Sequence, residues 1–257
     1  GTRHFGFIPL GIGDIFSTRH YPTSFVLLLG NERVMIDCPA PLSKILHEAS
    51  VRTGIGLALG DIRNVILTHL HADHSSGLES LGFHAKYGGV QRATIWTLPE
   101  IRRDLWAHRL RASMAYDLTP SGRVVRRFGL EDYFHVRSVG PRVPTTICGA
   151  DIRIRLTRHA PICFGLKVFF AGHSLGYSSD TTFDPDHIAF LEECDLIIHE
   201  TGGGVHTSYD SLAALPAALR RRMRLVHVAD DFNTARSAIA VLEEGRYYEL
   251  GCAALAG

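Results

Sequence analysis

At 257 residues, with 46% hydrophobic and 21% charged side chains, the chain has the size and composition of one large globular domain or two small ones. A formal net charge of +1 gives no overall field to draw in nucleic acid or a membrane surface, so any affinity for phosphate must be local.

The first elements read as strands at residues 5–10, 24–29 and 33–37, the last two joined at Gly30-Asn31, a hairpin signal. Pro39 and Pro41 close the third strand, and residues 42–51 carry apolar side chains at helical spacing. A short buried strand at 64–68 is followed by a helix that Ser75 or Ser76 can cap. Residues 94–98 read as strand, Pro99 opens a helix to about residue 116, and 119–127 reads as loop. Strands are expected at 134–139 and 151–157, then a second hairpin, 166–170 with 174–178, turning at Ala171-Gly172. Helices at 185–193, 212–222 and 234–243 alternate with strands at 196–199 and 225–228. No linker or low-complexity stretch divides the chain, so one domain over residues 1–257 is expected. Two strand-rich halves, each ending in strand–helix alternation, suggest two sheets packed face to face with helices outside.

The five cysteines (Cys38, Cys148, Cys163, Cys194, Cys252) are odd in number and lack CxxC spacing, and read as reduced thiols. With no signal-peptide pattern and no apolar run long enough to span a bilayer, a cytoplasmic location is expected.

The strongest signal lies at the end of the strand Val65-Ile66-Leu67. There His69, His71, Asp73 and His74 crowd into Thr68-His-Leu-His-Ala-Asp-His-Ser75. Imidazole nitrogens and a carboxylate oxygen make a zinc-type donor set, and the short spacing lets alternate residues of one turn face two neighbouring cations. Two ions need further ligands. His159 follows the alternating strand at 151–157, Asp180 follows the second hairpin, and His227 lies in the apolar run Leu225-Val-His-Val228. Each is a donor at an element end, where a rigid sheet can aim it into a common cleft.

These residues resemble a known family. The chain looks like a metallo-β-lactamase-fold hydrolase of the ribonuclease Z-like phosphodiesterase branch. The HxHxDH of His69 to His74 is the general signature. The branch is suggested by His159-Ala-Pro-Ile-Cys-Phe-Gly165, by Tyr177-Ser-Ser-Asp-Thr181, and by Ile198-His-Glu-Thr201 with His206-Thr-Ser208. The resemblance implies an α/β (α+β) fold, a four-layer αββα sandwich. It also implies two divalent ions, zinc first with manganese or iron as alternatives. His69, His71 and His159 would hold one ion, Asp73, His74 and His227 the other, and Asp180 would bridge them.

The implied chemistry is hydrolysis by a hydroxide held between the ions, with Asp73 also accepting a proton. His206, oriented by Glu200, would protonate the leaving oxygen. Asp37, at its strand end, is a candidate for orienting a ligand histidine.

The chain departs from ribonuclease Z in three places. Phe164-Gly165 runs straight into Leu166, leaving no room for the arm that grips tRNA. Asp230-Asp231 follows His227, where two carboxylates would repel a polyanion. The front turn Leu10-Gly-Ile-Gly-Asp14 also differs from the family's usual turn. Arg102, Arg103, Arg109 and Arg111 on one helix, and Arg220, Arg221, Arg222 and Arg224 ending another, read as solvated helix faces. A small phosphodiester such as a cyclic nucleotide is therefore the expected substrate. A lactone or thioester is the first alternative and tRNA the second, and a homodimer is the expected assembly.

Overall fold

Strands β1 (Phe5–Gly11), β2 (Ser24–Leu29), β3 (Glu32–Ile36), β4 (Asn64–Ile66) and β5 (Thr94–Thr97) open the computed structural model, which describes residues 4–251. A small hairpin follows, β6 (Tyr116–Leu118) with β7 (Val124–Arg126), and β8 (His135–Ser138) then rejoins the first sheet. The second half contributes β9 (Thr145–Ile147), β10 (Ala150–Leu156), β11 (Phe164–Phe170), β12 (His173–Tyr177), β13 (Leu196–Glu200) and β14 (Met223–Val226). One sheet runs β15-β1-β2-β3-β4-β5-β8, with β15 at Tyr248–Glu249, and the other runs β14-β13-β12-β11-β10-β9.

The two sheets meet through apolar side chains. The Phe5 ring of β1 stands edge-on to Phe170 of β11 at 6.1 Å, and Phe25 of β2 meets Tyr177 of β12 at 5.1 Å. Every residue of β1, β13 and β14 is buried, as strands between a facing sheet and outer helices must be. That accounts for their continuous apolar runs, whereas β10 alternates buried and accessible positions. Helix Leu42–Thr53 buries Leu42, Ile45, Leu46 and Ala49, the periodic face visible in the sequence.

Strand direction gathers the site. β3, β4, β5 and β8 are mutually parallel, as are β12, β13 and β14. β10 lies two antiparallel steps from β12 and so runs the same way. The carboxyl ends of β10, β12, β13 and β14 therefore share one edge of their sheet, the position where open α/β sheets place ligands.

Several expectations need correction. Neither Ser75 nor Ser76 caps the next helix, Leu78–Gly88, whose N-cap is Gly77. Ser75 Oγ donates to the His71 carbonyl, and Ser76 Oγ accepts the Ala40 amide. The helix from Pro99 ends at Met114 and contains a wide turn at Leu105–Leu110, where the Arg111 amide bonds the Trp106 carbonyl five residues back. The segment read as loop at 119–127 holds β7, and β9 was not anticipated. Pro216 splits the expected 212–222 helix into Tyr209–Ala213 and Ala217–Arg221. Residues 234–243 form only one short turn, Thr234–Arg236. Beyond it Ile239 and Leu242 are buried as the chain passes beside β14, bonding to Leu225 on both sides. Their spacing fits a helix as well as this extended path. Of the cysteines, Cys252 lies outside the described residues, and Cys38, Cys148, Cys163 and Cys194 are free thiols.

Close packing at the second sheet has measurable consequences. A Cβ at Gly165 would come within 2.5 Å of the Ser178 carbonyl and 2.6 Å of the His187 ring. Gly165→Ala is expected to destabilise the fold by about 1–3 kcal/mol in urea unfolding, and an unchanged midpoint would show that the strand has room. His187 Nε2 donates to the Ser178 carbonyl and His199 Nδ1 to the Glu200 carbonyl, and burial lowers both imidazoles to about 4. Their unfolded value is 6.5, so the unfolded chain binds protons that the native chain refuses. Stability should fall as pH drops from about 6.5 to about 4, by at most ~3 kcal/mol per histidine. In metal-free protein, His187→Gln should lose less stability than wild type over that interval.

Candidate metal centre and active site

The first cluster arises because β4 ends at Ile66 and the chain turns into a short helix, Ala72–Ser75. His69, His71, Asp73 and His74 thus come off one tight bend. His159, Asp180 and His227 arrive from the ends of β10, β12 and β14. All seven side chains meet in two groups: His69, His71 and His159 with Asp180, and Asp73, His74 and His227. Within each group the donor atoms lie within 4.8 Å of one another.

Asp180 sits between the groups. One oxygen, Oδ2, lies 3.5 Å from His69 Nε2, 3.8 Å from His159 Nε2 and 3.6 Å from His227 Nε2. The other, Oδ1, lies 3.4 Å from His74 Nε2. Asp73 Oδ2 approaches His74 Nε2 at 3.4 Å and His227 Nε2 at 3.5 Å. None of these approaches is a good hydrogen bond. Both Asp180 oxygens and the Nε2 atoms of His69, His74 and His227 are buried without a hydrogen-bond partner. Buried polar atoms are otherwise almost always satisfied. Orphaned donors converging from several segments fit divalent ions and fit no hydrophobic core.

The fields around these groups are strong. Burial raises the Asp180 carboxyl, but His74 and His227 outweigh it and hold the carboxyl well below the usual range. Asp73 is likewise pushed up by burial and pulled lower by His227 and His74. Burial works against a charged His74, yet Asp180 and Asp37 raise it above an ordinary imidazole.

A surrounding layer fixes these side chains. Asp37 Oδ2 accepts from His74 Nδ1 at 2.8 Å, leaving Nε2 to face the cleft. Asp37 Oδ1 accepts from the Thr68 amide and hydroxyl. The His227 amide donates to Thr23 Oγ1. Asp37, Ser179 and His227 all hold left-handed backbone, with φ of 57°, 50° and 58°. Thr23, Thr68 and Ser179 were not singled out from the sequence, since nothing in a lone hydroxyl residue marks such a partner.

Glu200 ends β13 fully buried. Its Oε1 accepts from the Thr181 amide at 3.0 Å, the Thr207 amide at 3.2 Å and His206 Nδ1 at 3.2 Å. That bond raises the His206 imidazole against the opposing effect of burial. The His206 ring lies 4.7 Å from that of His227 and 5.6 Å from that of His159, so its free Nε2 belongs to the same cleft.

The fold adds partners that two sequence readings did not contain. Asp230 keeps its charge and is fixed in place, its hydroxyl and amide partners holding the carboxyl well below its usual range. Its carboxylate accepts from Ser17 Oγ at 2.5 Å, Thr18 Oγ1 at 2.6 Å and the Thr18 amide at 2.8 Å, strapping down the loop at 14–20. The basic helix faces are largely engaged. Arg102 pairs with Glu131 and Arg103 with Asp104, while Arg220 and Arg222 donate to the carbonyls of Leu215 and Glu192. The missing arm is borne out, because β11 runs uninterrupted from Phe164 into its turn.

Comparison with known proteins follows the same lines. The chain is 28% identical over 250 residues to the anti-Pycsar protein Apyc1 of Paenibacillus sp. (strain J14), covering 94% of this chain and 96% of that protein. It is 28% identical over 260 residues to the cGMP-dependent 3′,5′-cGMP phosphodiesterase A of Dictyostelium discoideum, spanning 94% of this chain but 28% of that longer protein. The metallo-β-lactamase-fold protein YhfI of Bacillus subtilis superposes with a TM-score of 0.73 at 17% identity, over 96% of this chain and 99% of YhfI. The expected metallo-β-lactamase fold is thereby confirmed. Residues 5–248 match the family described as anti-Pycsar protein Apyc1, and the chain belongs to that family.

Proposed function

We propose that the chain is a dinuclear metal-dependent phosphodiesterase acting on a small phosphodiester, in first place a cyclic nucleotide. The observation that carries this reading is Asp180, a buried carboxylate with both oxygens unpartnered between two groups of histidines. The named activity of the Dictyostelium relative supports the substrate class. His69, His71 and His159 are assigned to one ion and Asp73, His74 and His227 to the other, with Asp180 shared. Zinc is the first choice, and manganese or iron suit the mixed imidazole–carboxylate set. Such ions, when bound, supply an activated water and neutralise charge on the phosphoryl oxygens.

The chain's own residues do the rest. Asp37 fixes the tautomer and orientation of His74. Glu200, held by two backbone amides, does the same for His206, whose Nε2 is placed to give a proton to the leaving alkoxide. Asp73 is kept ionised by His227 and His74, which suits a ligand better than a base poised near neutrality. The His206–Glu200 pair favours a phosphodiester over a thioester, because an alkoxide leaving group needs the proton and a thiolate does not; a lactone also expels an alkoxide, so direct comparison of substrates separates it. The absence of an arm in β11 argues against tRNA. No described helix is long and apolar enough to cross a membrane, and a cytoplasmic location is our reading. A homodimer is the proposed assembly, checked by light scattering.

Protein purified without chelator should carry about two divalent ions per chain by elemental analysis, and Asp180→Ala should lose metal and turnover together. Asp37→Ala should retain its fold but bind metal about 10- to 100-fold more weakly. Full metal content in Asp180→Ala would remove the bridging assignment. His206→Ala should keep both ions yet lose about 10²–10⁴-fold in turnover of 3′,5′-cyclic GMP, and less with bis(p-nitrophenyl) phosphate, whose leaving group needs little protonation. Equal loss on both substrates would count against proton donation. Faster turnover of a lactone than of either phosphodiester would favour the alternative hydrolase.

A further inference from the structure

Helix Leu78–Gly88 begins just after the ligand bend, and the helix ending at Met114 packs across it in a definite register. Met114 lies over Gly82, where an added Cβ would come within 2.7 Å of its methyl group. Ser113 Oγ donates to Glu79 Oε1 at 2.5 Å. These contacts put this part of the helix beside the start of Leu78–Gly88, just after the bend that carries Asp73 and His74, and the Asp73 charge acts on Arg109. Arg109 lies one turn earlier, four residues before Ser113.

The turn is not an ordinary one. Leu105–Leu110 is wound wide, with the bond from the Arg111 amide to the Trp106 carbonyl spanning five residues. Such insertions re-aim the side chains that follow a regular helical stripe and are frequent at functional sites.

Arg109 also differs from its neighbours in what it touches. It is half-buried, yet among the described residues it makes no hydrogen bond or ion pair, while Arg102 and Arg103 on the same helix are paired. Burial lowers its proton affinity, and the carboxylates that offset this are Glu79 and Asp73. Glu79 already accepts from Ser113, and Asp73 belongs to the ligand set. A partly desolvated guanidinium without a partner is unfavourable unless something else completes it. Its planar fork matches two oxygens of a phosphate, which a lysine cannot reproduce.

We propose that Arg109 binds a non-bridging oxygen of the substrate phosphate beside the Asp73 side of the cleft. This rests on the phosphodiesterase reading and adds a substrate-binding residue to it. The test compares metal-loaded wild type with Arg109→Gln and Arg109→Lys. Turnover is measured on 3′,5′-cyclic GMP, binding of inorganic phosphate by calorimetry, and metal content and melting temperature on the same samples. Arg109→Gln should keep both ions and its melting temperature, and lose about 10- to 100-fold in kcat/KM and in phosphate affinity. Arg109→Lys should recover only part of each loss. Unchanged turnover and phosphate affinity in Arg109→Gln would overturn the assignment. So would loss of metal in both variants, which would make the residue a structural support. If wild type binds phosphate but turns over no phosphodiester, the phosphodiesterase reading fails. The calorimetric comparison then still decides the role of Arg109.

Discussion

Asp180 is the constraint around which the molecule is arranged. A carboxylate removed from water is tolerated only when its charge is met, and here every surrounding group that can meet it is an imidazole from another segment. Placing those imidazoles requires β4 and β14 to end opposite each other in different sheets. It also requires β10 and β12 to run in the same direction within one sheet. The sandwich, its parallel strand blocks and its shared carboxyl edge serve that requirement. Close approach of backbone at Gly165 and Gly77 keeps the flanking elements near enough: a Cβ at Gly77 would strike the Pro39 carbonyl at 2.4 Å.

The proposed ligand set was legible in the sequence because its chemistry is unusual at its positions. Three histidines and an aspartate at a strand end have no use in a core, and His159, Asp180 and His227 each follow a run whose strand pattern is plain. The buried hairpins were equally legible, since Gly30-Asn31 and Ala171-Gly172 are turn residues with the positive φ such turns require at Gly30, Ala171 and Gly172. What was hidden shares one physical cause. Apolar spacing at 239–242 serves a helix or an extended passage equally, and only the neighbour β14 decides between them. The break at Pro216 was written in the sequence but outweighed by the apolar residues on either side of it.

Charge was the least legible property. Asp230 reads as a repulsive carboxylate beside the cleft, and in the fold that charge also gathers the donors of Ser17 and Thr18, a role the sequence does not show. The arginine clusters read as uniform solvated faces, yet most are tied to carbonyls or carboxylates. Spacing along a helix fixes the face a residue occupies, and only tertiary packing supplies its partner. A wide helical turn such as Leu105–Leu110 shifts even the face, and no residue type announces it.

Left-handed backbone at Asp37, Ser179 and His227 places unfavourable dihedrals at three strand ends on the ligand side of the molecule. Aspartate tolerates that conformation through its short polar side chain, but serine and histidine do so less readily. The opposite ends of the sheets carry their positive φ values at hairpin turns instead. Non-glycine residues with positive φ occur at the hairpin ends too, at Cys148 and Ala171, but there they sit in turns beside a glycine. His69 and His74 are wholly enclosed, whereas His71 on the same bend and His206 across the cleft are partly open to solvent. Strain at these three residues is thus the cost of holding enclosed side chains in one geometry beside an open cleft.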